Sequence, residues 1–180
     1  RKMNNDQLEL KQSLDNSKDE KDRILKNMHD GVVVQGADGK IIDFNPSALT
    51  ILGLTEEQMF GRDSLDPRWK AIRFDGSPFP GEEHPAMVVL RTGKNVDNVV
   101  MGIEDPTRGL RWIKVNSVAI NTTEGLNSIT TFQDITDEVG KAAEIEAYVR
   151  GLDTHAIVAK TDVNGKITNV NKNFCDISGY

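Results

Sequence analysis

The stretch that decides the fold is GVVVQGADGKIIDFNPSALTILGL, from Gly31 to Leu54. Asp30-Gly31 breaks a polar helical segment, and the β-branched run Val32-Val33-Val34 opens a strand. Asp38-Gly39 supplies the positive φ of a tight hairpin, and the chain returns as a strand over Lys40 to Phe44. Asn45-Pro46 then reads as an N-cap followed by proline at the first helical position. The short helix that follows turns Ala48, Ile51 and Leu52 inward and stops at Gly53.

The same pattern recurs in IVAKTDVNGKITNVNKNFCDISGY, from Ile157 to Tyr180. Without a gap, Val32 falls on Val158, Gly39 on Gly165, Lys40 on Lys166, Ile41 on Ile167, Asn45 on Asn171, Ile51 on Ile177 and Gly53 on Gly179. These are the residues that turn, cap and pack one structural unit, so the chain is expected to hold a repeated domain. Where the second copy reaches Tyr180, the first has over 80 residues still to run. The expected layout is an N-terminal helix over 1–29, a complete domain over 30–135, a linker helix over 136–153 and the truncated start of a second domain over 154–180. The chain begins at Arg1 without an initiator Met and is expected to be a fragment of something longer.

Working outward, residues 1–29 lack Gly and Pro and carry a heptad in which Met3, Leu10, Ser17 and Ile24 interleave with Gln7, Leu14, Lys21 and Met28. Three polar seam positions, Gln7, Ser17 and Lys21, predict a weak coiled coil that pairs with help from the adjoining domain, or else a capping helix. Beyond Leu54, Thr55-Glu56-Glu57-Gln58 is a capping box opening a helix closed by Gly61. The segment from Pro67 to Pro85 reads as irregular, with turns at Asp75-Gly76 and Pro80-Gly81, and Pro85 starts a helix that Gly93 ends. Three strands follow, over Val96 to Glu104, Leu110 to Ile120 and Ser128 to Ile135. Alternation in the second puts Ile113, Val115 and Ser117 on one face and Trp112, Lys114 and Asn116 on the other. The first of the three is apolar on both faces, with Val99, Met101 and Ile103 against Val100 and Gly102, and its orientation stays open. Thr136 caps a helix to about Leu152, with Ala142, Ile145, Val149 and Leu152 at heptad-like spacing, and His155 opens the strand beyond it.

Composition narrows the function. A net charge of −6 without a Lys/Arg cluster argues against nucleic acid. The longest apolar runs, such as Met87-Val88-Val89-Leu90, are far short of the ~20 residues that span a bilayer, so no membrane contact by this fragment is expected. One cysteine, Cys175, excludes an internal disulfide and fits a reducing, cytoplasmic setting. His29, His84 and His155 lie far apart, none with a second ligand at metal spacing, and no phosphate loop or nucleophile motif is present, so neither a metal nor a catalytic residue is assigned. His84, at a helix entrance in Glu82-Glu83-His84-Pro85, is expected to be a surface or capping residue rather than a haem ligand.

The order of these motifs resembles the PAS (S-box) sensory domains of bacterial signalling proteins. Asp38-Gly39-Lys40-Ile41 to Asn45-Pro46-Ser47-Ala48 is similar to that family's opening, and Asn164-Gly165-Lys166-Ile167 to Asn171 with Phe174-Cys175-Asp176-Ile177-Ser178-Gly179-Tyr180 is more similar still. Arg73-Phe74-Asp75-Gly76-Ser77-Pro78 and Arg111-Trp112 look like one branch of the family, and Asp134-Ile135-Thr136 resembles the triplet that hands over to an output helix. The resemblance implies an α+β fold: a five-stranded antiparallel sheet with short helices on one face, flanked by N- and C-terminal signalling helices. It also implies a ligand side lined by Ile113, Val115, Ser117 and Phe132, with Asp134, Ile135 and Thr136 as signal relay. Leu10, Leu14, Ile24, Leu25, Met28 and the outward Trp112, which the N-terminal helix or a partner would cover, are the dimer-interface candidates. Gly61-Arg62-Asp63-Ser64 is similar to the flavin-adduct motif of the photosensory branch, but Ser64 stands where the reactive cysteine would be, so a flavin adduct is not expected and the cofactor stays unknown. The implied protein is a sensing and homodimerising module of a sensor histidine kinase, with a possible small-molecule ligand. The alternatives are a module of a diguanylate cyclase or other second-messenger enzyme, or a ligand-free spacer or interaction domain.

Overall fold

A computed structural model describes residues 2–60, 70–105, 108–123 and 125–179 of the 180-residue chain. Its contacts divide it into two compact units, 1–135 and 136–180.

The first unit begins with α1 (Lys2–Asn27), followed by β1 (Gly31–Gln35), β2 (Ile41–Phe44), α2 (Pro46–Leu52) and α3 (Glu56–Met59). Then come β3 (Ala71–Ile72), a 3-10 turn (Gly81–Glu83), α4 (Pro85–Thr92), β4 (Val96–Asp105), β5 (Gly109–Thr122) and β6 (Gly125–Asp134). The sheet is antiparallel throughout, in the order β2-β1-β6-β5-β4-β3. It has six strands where five are expected. The extra strand lies inside the proline-rich segment read as irregular, where Ala71 pairs with Ile103 and Ile72 with Gly102. Two residues carry too little periodicity to show in sequence, yet they cover the outer edge of β4, which would otherwise present unpaired backbone groups.

Local chemistry sets the first hairpin. Gly39 has φ +82, Gly36 N–H donates to Lys40 O at 2.9 Å, and Asp38 Oδ1 accepts from Lys40 N–H at 3.1 Å. Asn45 caps α2 through the Ala48 amide, Pro46 occupies the first turn, and Gly53 closes the helix in the left-handed conformation. Thr55 and Gln58 form the reciprocal capping box of α3, which ends at Met59; Gly61, expected to close it, lies outside the described residues.

In β4 the pairing register shifts between Val96 and Val99, and Asn98 takes φ +57 with its amide donating to Asn116 Oδ1 at 2.7 Å. Asn is one of the few side chains that adopt this conformation readily. The bulge settles the orientation left open by the sequence: Met101 and Ile103 face the core. β5 and β6 extend beyond the expected ends, pairing as far as Thr122 with Gly125. Helix α2 packs over β1 and β6, and α4 over β4, β5 and β6. Between them and the sheet lies the core, which includes Val33, Ile51, Met59, Ile113, Val115 and Phe132.

The second unit comprises α5 (Thr136–His155), β7 (Ala159–Thr161), β8 (Ile167–Val170) and α6 (Lys172–Ser178). His155 ends α5 instead of opening a strand, because the helix continues past the apolar pattern that marked Leu152 as its end. The repeat reproduces the first hairpin in detail. Val32 N–H donates to Asn45 Oδ1 at 2.9 Å and Val158 N–H to Asn171 Oδ1 at 3.0 Å, and Gly53 and Gly179 both end their helices left-handed.

Candidate functional site

A cavity of about 90 Å³ lies between the inner sheet face and the start of α4. Its walls are mainly apolar: Ile103, Ile113, Val115 and Phe132 from the central strands, Ile41 and Leu52 from the first hairpin and α2, and Pro85 and Ala86 from α4. Three polar side chains join them, Gln35, His84 and Thr130. Strand alternation explains the grouping, since Val115 pairs with Phe132 and Ser117 with Thr130, placing these four side chains on one face.

Three of the four expected pocket residues, Ile113, Val115 and Phe132, therefore line the cavity. Ser117 is fully buried but stands behind the wall, its hydroxyl in a short hydrogen bond with Thr130 Oγ1. Ser128, also fully buried, lies 3.5 Å from the same Thr130 oxygen. The buried Gln35 donates its side-chain amide to Gly39 O at 2.6 Å. Thr130 and Ser128 were legible in principle, because they share the parity of Phe132 along β6. Gln35 could have been found as the polar end of an apolar strand.

His84 corrects the expectation of a surface or capping residue. It is 8% exposed, makes no cap hydrogen bond, and packs its ring edge-on to Phe79 at 5.4 Å. Its Nε2 donates to Phe79 O at 3.1 Å, the arrangement required by a carbonyl acceptor. Burial lowers its pKa below the ordinary value, against smaller upward effects of the Phe79 carbonyl and Glu83. The ring is thus held neutral at neutral pH. Among the described residues no three His, Cys, Asp or Glu side chains gather into a metal site. Ser64 lies outside the described residues, and Cys175 is half-buried on α6.

Gly31, which sequence reading treated only as a helix breaker, lies behind the cavity wall against Phe132. The Phe132 ring lies across its backbone so closely that a Cβ there would come within 2.3 Å of the ring. Absence of a side chain at Gly31 thus lets Phe132 occupy the wall.

The relay triplet sits at the end of the sheet. Asp134, paired across from Ile113, forms an ion pair with Arg111; Ile135 N–H donates to Trp112 O at 2.8 Å, and Thr136 begins α5. Trp112 lies on the outer face, partly covered by Phe74 with ring centroids 5.0 Å apart. This contact comes from the loop after β3 and leaves the ring half-buried.

The six dimer candidates differ in exposure. Leu10 and Leu14 are 72% and 70% exposed, and Ile24 is exposed with them. Leu25, on the last turn of α1, and Met28, just beyond it, are half-buried instead. There Asn45 Nδ2 donates to Leu25 O at 3.1 Å and to Asp30 O at 2.9 Å, and Ser47 Oγ donates to Met28 O at 2.5 Å. At 100° per residue Leu25 falls within about 20° of Leu14 and Met28 on the line of Leu10, so the two sets differ by their place along the chain, where the domain begins, and not by helix face.

Comparison with known proteins agrees with this architecture. The sequence profile of the PAS family, described as the PAS fold, matches residues 19–135. The PAS domain of an HTR-like protein from Haloarcula marismortui superposes with a TM-score of 0.54 at 17% identity, over 71% of this chain and 98% of that one. The PAS domain of a protein from Colwellia psychrerythraea gives 0.50 at 18% identity, over 66% and 97%. A PAS domain from a two-component sensor histidine kinase gives 0.51 at 11% identity, over 67% and 97%. No curated protein sequence matches the chain significantly.

Proposed function

The chain belongs to the PAS family, whose members are sensory modules that commonly pair and bind small ligands, and on that premise we propose that it is the input and dimerisation module of a sensor histidine kinase. The observation that carries the proposal is the cavity beneath α4, lined by Ile113, Val115 and Phe132, on the same strands that carry the ion pair of Arg111 with Asp134, two residues before α5 begins in the chain. A ligand that displaces Phe132 acts on β6, the strand that leads into Thr136, so occupancy of the cavity is coupled to the output helix. The histidine-kinase parent is supported by the likeness to a PAS domain of that class. Residues 1–29 are the input helix, 30–135 the sensing domain, 136–153 the output helix, and 154–180 the opening hairpin and helix of a second copy. Leu10, Leu14 and Ile24, with Trp112 on the outer sheet face, form the homodimer contact, and the module works in the cytoplasm.

The test joins the chain through α5 to the catalytic core of a histidine kinase and measures autophosphorylation. Val115→Phe, which fills the cavity, and Asp134→Ala, which removes the ion pair with Arg111, are expected to change the rate severalfold relative to the unmodified fusion. Rates unchanged by both, with the domain still folded, would show a constitutive spacer.

A further inference from the structure

The cavity's size and wall chemistry narrow what can occupy it, and this step rests on the reading of the cavity as the input site. An engineered cavity of about 150 Å³ holds benzene, with six non-hydrogen atoms, so in proportion about 90 Å³ holds about four. Pockets for drug-sized ligands start at about 300 Å³. Among the described residues no Lys, Arg, Asp or Glu is on the wall, and His84, the titratable group among them there, is kept neutral by burial. A carboxylate or ammonium entering would lose its hydration without a counter-charge, which is strongly unfavourable.

The wall is not wholly apolar, and the exception is specific. Thr130, Ser117 and Ser128 carry three hydroxyl protons, while their two mutual contacts consume at most two. Among the described residues these hydroxyls have no other partner, and Thr130 is the member of the cluster on the cavity wall. One O–H donor therefore remains, and with Ser117 and Ser128 both donating to Thr130 Oγ1 it is the Thr130 hydroxyl, beside a surface of Ile103, Ile113, Val115 and Phe132.

We propose that the cavity binds a neutral molecule of about four non-hydrogen atoms, a short alkyl chain bearing one hydroxyl or carbonyl oxygen, with that oxygen on Thr130 and the chain against Val115 and Phe132. Short-chain alcohols and ketones have this chemistry. Carboxylates and amines of the same size do not.

The test is an NMR titration of the full chain with 1-propanol, acetate and propylammonium, each of about four non-hydrogen atoms, and with xenon as an apolar probe without a polar end. 1-Propanol is expected to shift the amides of Val115, Thr130 and Phe132 saturably in about the millimolar range. Acetate and propylammonium are expected to leave them in place. Thr130→Val should weaken 1-propanol about tenfold and leave xenon unchanged, and Thr130→Ser should restore the alcohol. Xenon binding in Thr130→Val also reports that the cavity survives the substitution. Equal binding of acetate, or 1-propanol affinity indifferent to Thr130→Val, would overturn the proposal. So would a kinase fusion that responds to Val115→Phe while 1-propanol fails to bind, an outcome that leaves the signalling reading standing. 1-Propanol binding as described in a fusion whose activity ignores both Val115→Phe and the alcohol would support the ligand class and sink the signalling reading instead.

Discussion

Asn45→Ala is the substitution with the most informative consequence, because one side chain, 1% exposed, ties α1, β1 and α2 together. Its Oδ1 accepts from Val32 N–H at 2.9 Å and Ala48 N–H at 3.0 Å, while Nδ2 donates to Leu25 O at 3.1 Å and Asp30 O at 2.9 Å. Loss of the cap on α2 costs about 1 kcal/mol. Leaving the buried Val32 amide unpaired adds at least ~1 kcal/mol, and the two partly buried carbonyls, which water can reach, add about 1 kcal/mol together. The sum is about 3 kcal/mol, or a fall in Tm of about 12 °C for a domain of this size. Urea denaturation followed by tryptophan fluorescence measures the total, and hydrogen exchange locates it. Protection is expected to fall across residues 25–32 as well as in α2, since the carbonyls at the end of α1 lose their anchor. Asn171→Ala, which removes the equivalent bonds to Val158, Phe174 and Ala156, is the internal comparison and should leave the midpoint of the first unit unchanged. A loss below about 1 kcal/mol for Asn45→Ala, or one that spares residues 25–32, would refute the account of Asn45 as the anchor.

The other outcomes are more local. Gly31→Ala drives a Cβ into the Phe132 ring and should cost about 2 kcal/mol while abolishing xenon uptake; retained uptake would show that the ring has room to move elsewhere. Because burial lowers the pKa of His84, the folded state binds fewer protons than the unfolded one below the ordinary value of 6.5. Its contribution is complete above that pH and is lost as pH falls through the folded pKa, so the urea midpoint should drop between about pH 7.5 and about pH 5.5, and His84→Gln should flatten that drop. In the second unit Ile157, Val163, Ile167 and Ile177 are exposed, and a two-stranded hairpin has little stability of its own. Trypsin should therefore cut after Lys160 and Lys166 before it cuts within 30–135, and resistance there in a dilute sample would contradict this. Deleting residues 1–20 removes Leu10 and Leu14 and should weaken a dimer measured by light scattering without unfolding the domain, whereas an unchanged mass would assign α1 to capping alone.

By itself the sequence determined the features whose causes lie within a few residues of each other. Gly39, Gly53 and Gly93 stand where the backbone needs positive φ, and Asn45 and Thr55 stand where helix amides need acceptors. Such residues show their role without knowledge of what packs nearby, and the repeat from Ile157 states most of them twice. Period-two alternation likewise placed Ile113, Val115 and Ser117 on one face of β5 before any partner strand was known. Tertiary structure decided what depends on distant segments meeting. Ala71–Ile72 is a strand only because β4 offers it an edge, and Met101 faces inward only because the bulge at Asn98 resets the register against β5. His84 looks like a surface residue among Glu82 and Glu83 until Phe79, α4 and the sheet enclose it. Leu25 parts from Leu10 and Leu14 because Asn45, twenty residues away, holds its carbonyl. Turn and cap energies act along the chain and are written in it residue by residue. Burial is a property of the assembled volume, and no single segment carries it.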